Sequence, residues 1–391
     1  MRRFPLSPLW RGLIVQLFLS LSFAVTAGSY VTFLLAHGLS YTQVNTTNIV
    51  FFSVNLFVEL PTGVFADRFG RRKSMIASCW VQMAGLILYG LSTTLALFCV
   101  AEGVLAVGRC LASGALLAWT TDAQLLRDPQ TDPKRVSNRM RNMKHASLVS
   151  APILGVLATA YDVRLSWFFA AAFMVACLIA SIFLLTREGD LAKKHQKTTL
   201  ELLGMVGTSW KKHPLIRELF IASGMIAIGI AAPNMFWQPF FKNEPALRHI
   251  YPLTGNIIGL FLFLGSLVYP LLSKLRPRVQ VPLCMAAIGL SVTLCSILPL
   301  PLSYGVFLLH EIVRGMTQGA QEGLTNELAS TEDRATILSA ERVPNHFGAL
   351  IGLLVSGLLA DHVSMRSSWM FCGVILAISG VALLFQERKT K

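Results

Sequence analysis

Charged side chains interrupt stretches of this sequence that are otherwise strongly apolar. Glu102 and Arg109 share one such stretch, seven residues apart, and Glu311 and Arg314 share another, three residues apart. At these separations both members of a pair lie on one side of an α-helix. A carboxyl group in apolar surroundings can take up and release a proton, and a neighbouring arginine changes its proton affinity. Both pairs are therefore candidates for proton coupling, while a structural ion pair explains the same pattern.

A third acid, Glu59, lies in another apolar stretch with Asn55 four residues before it. The two share a helical face, and the run Glu-Leu-Pro-Thr-Gly begins at Glu59. Protonation would make this side chain neutral in apolar surroundings. Glu59 is thus a further proton-coupling candidate, and a hydrogen bond to a neighbouring helix is an equally good explanation.

The stretch around Arg314 is the most polar of the apolar stretches. At 100° per residue, one side of a helix here would carry Glu311, Arg314, Gln318, Glu322 and Thr325. Facing lipid with this stripe would cost on the order of 5 kcal/mol or more. We therefore expect it to line a cavity.

Other polar residues are candidates for the same cavity. The segment from Pro233 to Pro239 has two prolines that break regular hydrogen bonding, so its backbone must face protein or water. Trp237 fits a solute contact there, but it also fits an interfacial belt. The predicted cavity residues are Tyr30, Asn55, Asn234, Trp237, Gln238, Gln318 and Glu322.

The elements that position these residues are predicted to be transmembrane helices. Of 391 residues, 54% are apolar and only 14% are charged, whereas soluble domains carry about 25% charged residues. Apolar windows long enough to cross a bilayer, about 20 residues, recur along the chain. We place twelve spans, with eleven or thirteen as alternatives, at 12–36, 44–66, 74–92, 96–119, 146–161, 165–186, 215–238, 254–272, 280–300, 302–325, 344–361 and 367–386.

The sequence gives no indication of an enzyme, a metal site or a cofactor. It lacks the GxSxG, Walker and HExxH patterns, and its seven cysteines fall inside apolar spans without zinc-type spacing. The first apolar stretch is too long for a signal-peptide core, so we expect a retained helix. The cysteines are interpreted as packing residues.

The positive charges divide the loops into two groups. Of 34 lysines and arginines, 28 fall at the termini and in alternate loops, and only four fall in the loops between them. By the positive-inside rule both termini are cytoplasmic, so the net charge of +14 reflects topology rather than nucleic-acid binding. The long basic stretch between the sixth and seventh spans predicts a linker at 187–213, between six-helix bundles at 1–186 and 214–391.

The two predicted bundles repeat one another weakly. At a shift of 202 residues Trp167 matches Trp369, together with Gly63 and Gly265, Ser137 and Ser339, and Gly155 and Gly357. At a shift of 205, Arg109 matches Arg314, Gly114 matches Gly319 and Asp122 matches Glu327. Such parallel repeats occur in transporters, with the substrate site near mid-membrane between the repeats.

The loop between the second and third spans carries the most specific motif, Gly63-Val-Phe-Ala-Asp67-Arg68-Phe-Gly70-Arg71-Arg72-Lys73. Gly63 can bring helices close, Gly70 permits a tight turn and Asp67 can accept from arginine donors. The motif resembles GxxxDRxGRR of the major facilitator superfamily. The resemblance implies an all-α membrane fold of twelve helices in two six-helix bundles.

The resemblance also implies that this loop is a latch. In the family the latch closes the cytoplasmic side through charge contacts to the fourth helix and to the start of the eleventh. Asp122 is the expected partner on the fourth helix. The predicted latch residues are Gly63, Asp67, Arg68, Gly70, Arg71, Arg72 and Asp122. The alternative, that the charges only orient insertion, leaves Asp67 and the glycines unexplained.

Two further segments resemble family motifs. Arg109 followed five residues later by Gly114 resembles the second motif of the superfamily. Ala151-Pro152-Ile-Leu-Gly155 resembles the antiporter motif GPxxGG, but it departs at Ala151 and Val156. Helix bending and close packing explain Pro152 and Gly155 equally well.

Together these patterns predict a monomeric secondary transporter in a bacterial inner membrane. We expect proton-coupled efflux of a small drug-like compound or metabolite by alternating access. The alternatives are a proton-coupled symporter that imports a metabolite and a membrane sensor or scaffold that transports nothing. The expected partners are a small solute, a proton or other coupling ion, and the lipid bilayer.

Overall fold

The computed structural model describes residues 6–186, 214–328 and 334–389, and these residues form helices and no strands. The predicted linker at 187–213 lies outside the described residues, as do the side chains of Asn326 and Glu327. The helices of the first half are α1 (Pro8–Ala27), α2 (Tyr30–Ala36), α3 (Tyr41–Phe69), α4 (Arg71–Leu91), α5 (Leu95–Ala112), α6 (Ala115–Arg127), α7 (Pro133–Ser150), α8 (Pro152–Thr159) and α9 (Leu165–Leu184).

The second half continues with a similar set of helices. They are α10 (Pro214–Gly229), α11 (Ala231–Phe241), α12 (Thr254–Leu272), α13 (Pro277–Ile297), α14 (Leu300–Leu328), α15 (Arg334–His362) and α16 (Met365–Lys389). Two short 3₁₀ turns, Pro245–Leu247 and Tyr251–Leu253, lie between α11 and α12.

Nine helical stretches among the described residues are long and apolar enough to cross a membrane, or ten if the bent α3 is one span. The other two predicted spans correspond to α7 with α8, and to α14. Both are helical, but their charged residues exclude them from a composition-based count. The predicted all-α membrane fold is confirmed, and twelve spans are consistent with it.

Several predicted spans are broken helices rather than continuous ones. The span predicted at 96–119 ends as α5 and restarts as α6, because Gly114 adopts φ +73°. The stretch between Pro214 and Phe241 breaks at Ile230, four residues before Asn234. Pro233 has no N–H to donate to the Gly229 carbonyl, which accounts for a break at this point.

The fifth span differs most from its prediction at 146–161. Its helix α7 begins at Pro133, so the basic residues between the predicted spans 96–119 and 146–161 lie largely on a helix. The helix breaks at Ala151, where Pro152 opens α8. A Cβ on Gly155 would lie 1.8 Å from the Val25 carbonyl oxygen, so α8 packs directly against α1 through this glycine.

The described residues form two compact units, each with its own core. One contains residues within Met1–Phe33 and Val54–Lys197, and the other contains residues within Leu34–Ser53 and Thr198–Lys391. The chain therefore passes from one unit to the other inside α3. The bundle boundaries at 186 and 214 remain a prediction, because the linker is not among the described residues.

Small residues bring helices close inside each unit. In the first, Ser74 and Ser78 of α4 donate to the carbonyls of Leu111 and Gly108 on α5, both at 2.7 Å. In the second, a Cβ on Gly289 of α13 would lie 2.2 Å from the backbone nitrogen of Ala377 on α16. Such close approach is typical of helix packing in membranes. Because lipid is as apolar as the helix surfaces, helices associate through close van der Waals packing, which small residues allow.

The matched tryptophans occupy comparable places in the two units. Trp167 stacks on Tyr89 with ring centroids 3.9 Å apart, and Trp369 stacks on Phe240 at 4.4 Å. Both side chains are buried, and each follows an Arg-x-Ser triplet. The sequence repeat thus has a structural counterpart in two aromatic clusters.

Candidate functional site

The first unit contains a buried polar cluster around Glu102. This side chain is 6% exposed on α5, and the Tyr89 hydroxyl of α4 lies within hydrogen-bonding reach of its carboxylate. The Tyr30 hydroxyl of α2 is 3.2 Å from that of Tyr89. Glu102 Oε2 is buried and has no hydrogen-bond partner among the described residues. An ionised carboxylate is costly in such surroundings, so this group is suited to carrying a proton.

Arg109 belongs to the same cluster, two helical turns along α5. It lies within electrostatic range of Glu102 and Tyr30, and its guanidinium carbon is 4.4 Å from the ring centroid of Phe23. The cation–π contact and the acid both offset the cost of an arginine at this depth. The structure therefore brings together Tyr30, Glu102 and Arg109 from the predicted residues.

One member of this cluster was missed by sequence reasoning. Lys144 of α7 lies within electrostatic range of Arg109. The sequence placed it in a cytoplasmic loop because it belongs to a dense run of basic residues. Pro133 was the available signal, since a proline favours the first turn of a helix and Lys144 then lies well inside that helix.

Asn55 and Glu59 lie on one face of α3, as their spacing predicts. The Asn55 side-chain oxygen accepts from the Cys110 thiol at 2.9 Å, which ties α3 to α5 next to Arg109. Glu59 is half-buried one residue before the Leu60–Pro61 bend. The bend is 48°, and Pro61 explains it.

The second unit pairs Glu311 with Arg314 along α14. Their charged groups are 2.7 Å apart, and Glu311 is 1% exposed. His310 Nδ1 lies 3.4 Å from the same carboxylate, and Arg314 also donates to the Asn234 side chain of α11. Glu311 is thus paired with Arg314, whereas neither ring nitrogen of His310 has a hydrogen-bond partner among the described residues.

The remaining cavity candidates differ in exposure. Gln318 is exposed and donates to Glu322 at 3.2 Å. Asn234 is exposed, whereas Trp237 is 8% exposed and Gln238 only 1%. Trp237 and Gln238 are therefore packed within the second unit in this conformation.

A second missed residue is Glu341 at the start of the membrane part of α15. It accepts from Gln321 of α14 at 3.1 Å and lies within hydrogen-bonding reach of the Ser223 hydroxyl on α10. Glu322 is also within electrostatic range. The predicted span began three residues later, at 344, so Glu341 was counted with the cytoplasmic loop.

The motif between α3 and α4 forms a compact turn. Gly70 adopts φ +96° and separates the two helices. Arg71 forms an ion pair with Asp122 of α6, and Arg72 donates to the Ile182 carbonyl of α9 at 2.9 Å. The Arg68 guanidinium carbon is 5.4 Å from the Phe69 ring centroid, while Gly63 and Asp67 are half-buried. The predicted partners Arg71 and Asp122 are in contact.

A family model and several known proteins are similar to this chain. The family model for the Major Facilitator Superfamily matches residues 12–340. Multidrug resistance protein 2 of Bacillus subtilis (strain 168) is 20% identical over 86% of this chain and 85% of its own length. Multidrug resistance protein MdtG of Escherichia coli O17:K52:H18 (strain UMN026 / ExPEC) is 24% identical over 86% of this chain and 82% of its own.

Solved structures show the same fold. A crystal structure of the nucleoside transporter NupG has a TM-score of 0.80 at 15% identity, covering 97% of this chain and 99% of that one. A crystal structure of a peptide transporter POT in complex with sulfate gives 0.81 at 13% identity, covering 98% and 94%.

Proposed function

This chain belongs to the major facilitator superfamily and is a membrane transporter rather than an enzyme, and we propose that it exports a small drug-like compound or metabolite in exchange for protons. The observation that carries the proposal is the buried carboxyl of Glu102, which has one oxygen without a hydrogen-bond partner among the described residues. The two multidrug resistance relatives support export as the direction.

In the proposed cycle, a proton from outside neutralises Glu102 and later leaves to the cytoplasm. Arg109 makes the ionised acid more favourable, and the Tyr89 hydroxyl can bond to either form. Moving one charge through 100 mV supplies about 2.3 kcal/mol, enough for roughly a fifty-fold solute gradient. Solute binding would be coupled to this step.

Glu102 is a better candidate than the other two acids. Glu311 is already paired with Arg314 at 2.7 Å, so protonating it would break a short ion pair. Glu59 is only half-buried, whereas Glu102 is 6% exposed. We keep Glu59 and Glu311 as secondary candidates.

The turn at Gly70 is proposed to act as the cytoplasmic latch. Its support is the Arg71–Asp122 ion pair, which fixes the start of α4 to α6. Cytoplasmic termini, a bacterial inner membrane and a monomeric state complete the proposal. They rest on the charge distribution and the short loops of the sequence.

Inverted vesicles that contain the protein and an imposed pH gradient test the mechanism. Adding a transported compound from a broad panel should collapse the gradient. Glu102→Gln should abolish this response while compound binding persists. The control is Glu218→Gln, since Glu218 is a half-buried acid of the second unit that accepts from Gln386 at 3.1 Å. Full coupling in the Glu102→Gln variant would refute the assignment.

The same assay separates the alternatives. A symporter would accumulate the compound in cells instead of excluding it. A sensor or scaffold would move neither compound nor protons with any member of the panel.

A further inference from the structure

Asp361, near the end of α15, caps the beginning of α3. Its carboxylate accepts from the backbone N–H groups of Tyr41 and Thr42 and from the Ser40 hydroxyl, all at 2.8 Å. The first N–H groups of a helix have no partner within the helix, and the positive end of the helix dipole favours an anion there. An acid from a distant part of the sequence thus adds to a local cap, in which the Gln43 N–H donates to the Ser40 hydroxyl at 3.3 Å and the Ser40 N–H to the Gln43 side-chain oxygen at 2.9 Å.

The contact continues along both helices inside the second unit. Asn45 donates to the Leu353 carbonyl at 2.7 Å and to the Ser356 hydroxyl at 3.0 Å. A Cβ on Gly357 would lie 2.9 Å from the Thr42 Cα. Further along, Phe52 and His346 have ring centroids 5.7 Å apart. The first turns of α3 therefore pack antiparallel to α15 from Asp361 back to His346.

The first half also has an acid shortly before its Arg-x-Ser-Trp segment, and this acid behaves differently. Asp162 also precedes an Arg-x-Ser-Trp segment, but it accepts from the backbone N–H of Arg164, two residues away, at 2.8 Å. It closes a local turn, whereas Asp361 joins segments about 320 residues apart. The Asp162 turn is local and moves as one piece, whereas the Asp361 contact joins two helices that can separate.

We propose that Asp361 is a clasp that holds the start of α3 on α15 at the end of α3 opposite the Gly70 turn, and that its release is the step that opens this end. The inference rests on the proposed alternating access, since a transporter must expose its site on each side in turn. Residues 41–53 of α3 belong to the unit that contains Asp361 and the rest of the helix to the other, so a rearrangement that carries residues 41–53 into the other unit must break this contact.

Cysteine labelling tests the clasp without a known substrate. Thr47 is fully buried, and Thr47→Cys provides a reporter that reacts with a membrane-impermeant maleimide on intact cells only when α3 separates from its neighbours. Asp361→Ala should raise the labelling rate roughly fivefold, the factor expected from losing one helix cap, with a smaller rise for Asp361→Asn. Asp162→Ala is the matched control and should leave the rate unchanged.

A covalent lock tests the required release. In Ser40→Cys/Asp361→Cys, a copper–phenanthroline oxidant should join the two thiols, which replace oxygens 2.8 Å apart. Transport should stop on oxidation and return with dithiothreitol. Unchanged labelling in Asp361→Ala, failure of the thiols to join, or full transport by the joined protein would each overturn the clasp. Because labelling needs no proton coupling, failure of the proposed antiport would leave this result standing.

Discussion

Arg109 and Arg314 share one sequence feature but have different structural surroundings. Each arginine is followed five residues later by glycine. In the first half the helix breaks at that glycine, and Glu102 lies two turns before the arginine with one unpartnered oxygen among the described residues. In the second half α14 runs unbroken, and Glu311 forms a 2.7 Å ion pair with Arg314. The sequence repeat therefore places an arginine in each half, but the contacts of the two arginines differ.

The largest expected difference concerns loss of each arginine. Arg314→Ala should cost about 3 to 5 kcal/mol of unfolding free energy, because it breaks a 2.7 Å ion pair and leaves Glu311 buried without its counter-charge. Arg109→Ala should cost less, about 1 to 3 kcal/mol, because Arg109 acts on Glu102 from two helical turns away. Denaturant titration in mixed micelles measures both values.

A double variant provides the control for this comparison. Glu102→Gln combined with Arg109→Ala should recover most of the loss, since no buried charge is then left alone. Equal losses for the two single arginine variants would contradict the distinction between a loosely held acid and a tightly held one.

Substituting Gly114 and substituting Gly319 should lower stability by similar amounts, but for different physical reasons. Gly114 has φ +73° and an added Cβ would meet no atom within 4 Å, so Gly114→Ala should cost about 1 to 2 kcal/mol through backbone strain alone. A Cβ on Gly319 would lie 2.8 Å from the Tyr269 ring, so Gly319→Ala should cost about 1 to 3 kcal/mol through overpacking.

A smaller side chain at position 269 distinguishes overpacking at Gly319 from backbone strain at Gly114. Tyr269→Leu should rescue Gly319→Ala in thermal unfolding, measured against the Tyr269→Leu single variant. Among the described residues, no neighbour lies close enough to Gly114 for a similar rescue. Failure of the Tyr269 rescue would show that space is not the constraint at Gly319.

The smallest effect is expected at the hydroxyl of Tyr89. Tyr89→Phe keeps the stack on Trp167 and removes a hydrogen bond to Glu102, so it should cost about 1 kcal/mol of stability. Tyr304→Phe is the control in the second half, where the hydroxyl lies 3.2 Å from that of Thr254. Only Tyr89→Phe should alter the response to a pH gradient in vesicles, and equal responses would remove Tyr89 from the proton site.

Much of the candidate site could be predicted because charges are conspicuous in an apolar sequence. Glu102 with Arg109, Glu311 with Arg314, and Arg71 with Asp122 are all close in the structure, as predicted. Helical periodicity and the rarity of intramembrane charge provide this information directly. Lys144 and Glu341 were missed because each lies near the edge of an apolar stretch, where hydropathy windows blur the boundary between loop and membrane.

Helix breaks were less predictable than helix positions. Gly114 and Ala151 interrupt spans whose hydropathy is continuous, and α7 starts well before its apolar part. Hydropathy measures transfer into lipid, not backbone continuity, so a positive φ at one glycine has no hydropathic signature.

The sequence by itself determined the membrane topology class, the family and the residues that carry charge into the bilayer, because lipid allows few charged residues and only fully hydrogen-bonded backbones. Tertiary structure alone decided how each buried acid is partnered, which glycine has a positive φ and which is crowded, and that Asp361 bonds to the start of a helix about 320 residues earlier. Such contacts depend on packing between helices distant in the chain, which local sequence patterns do not encode.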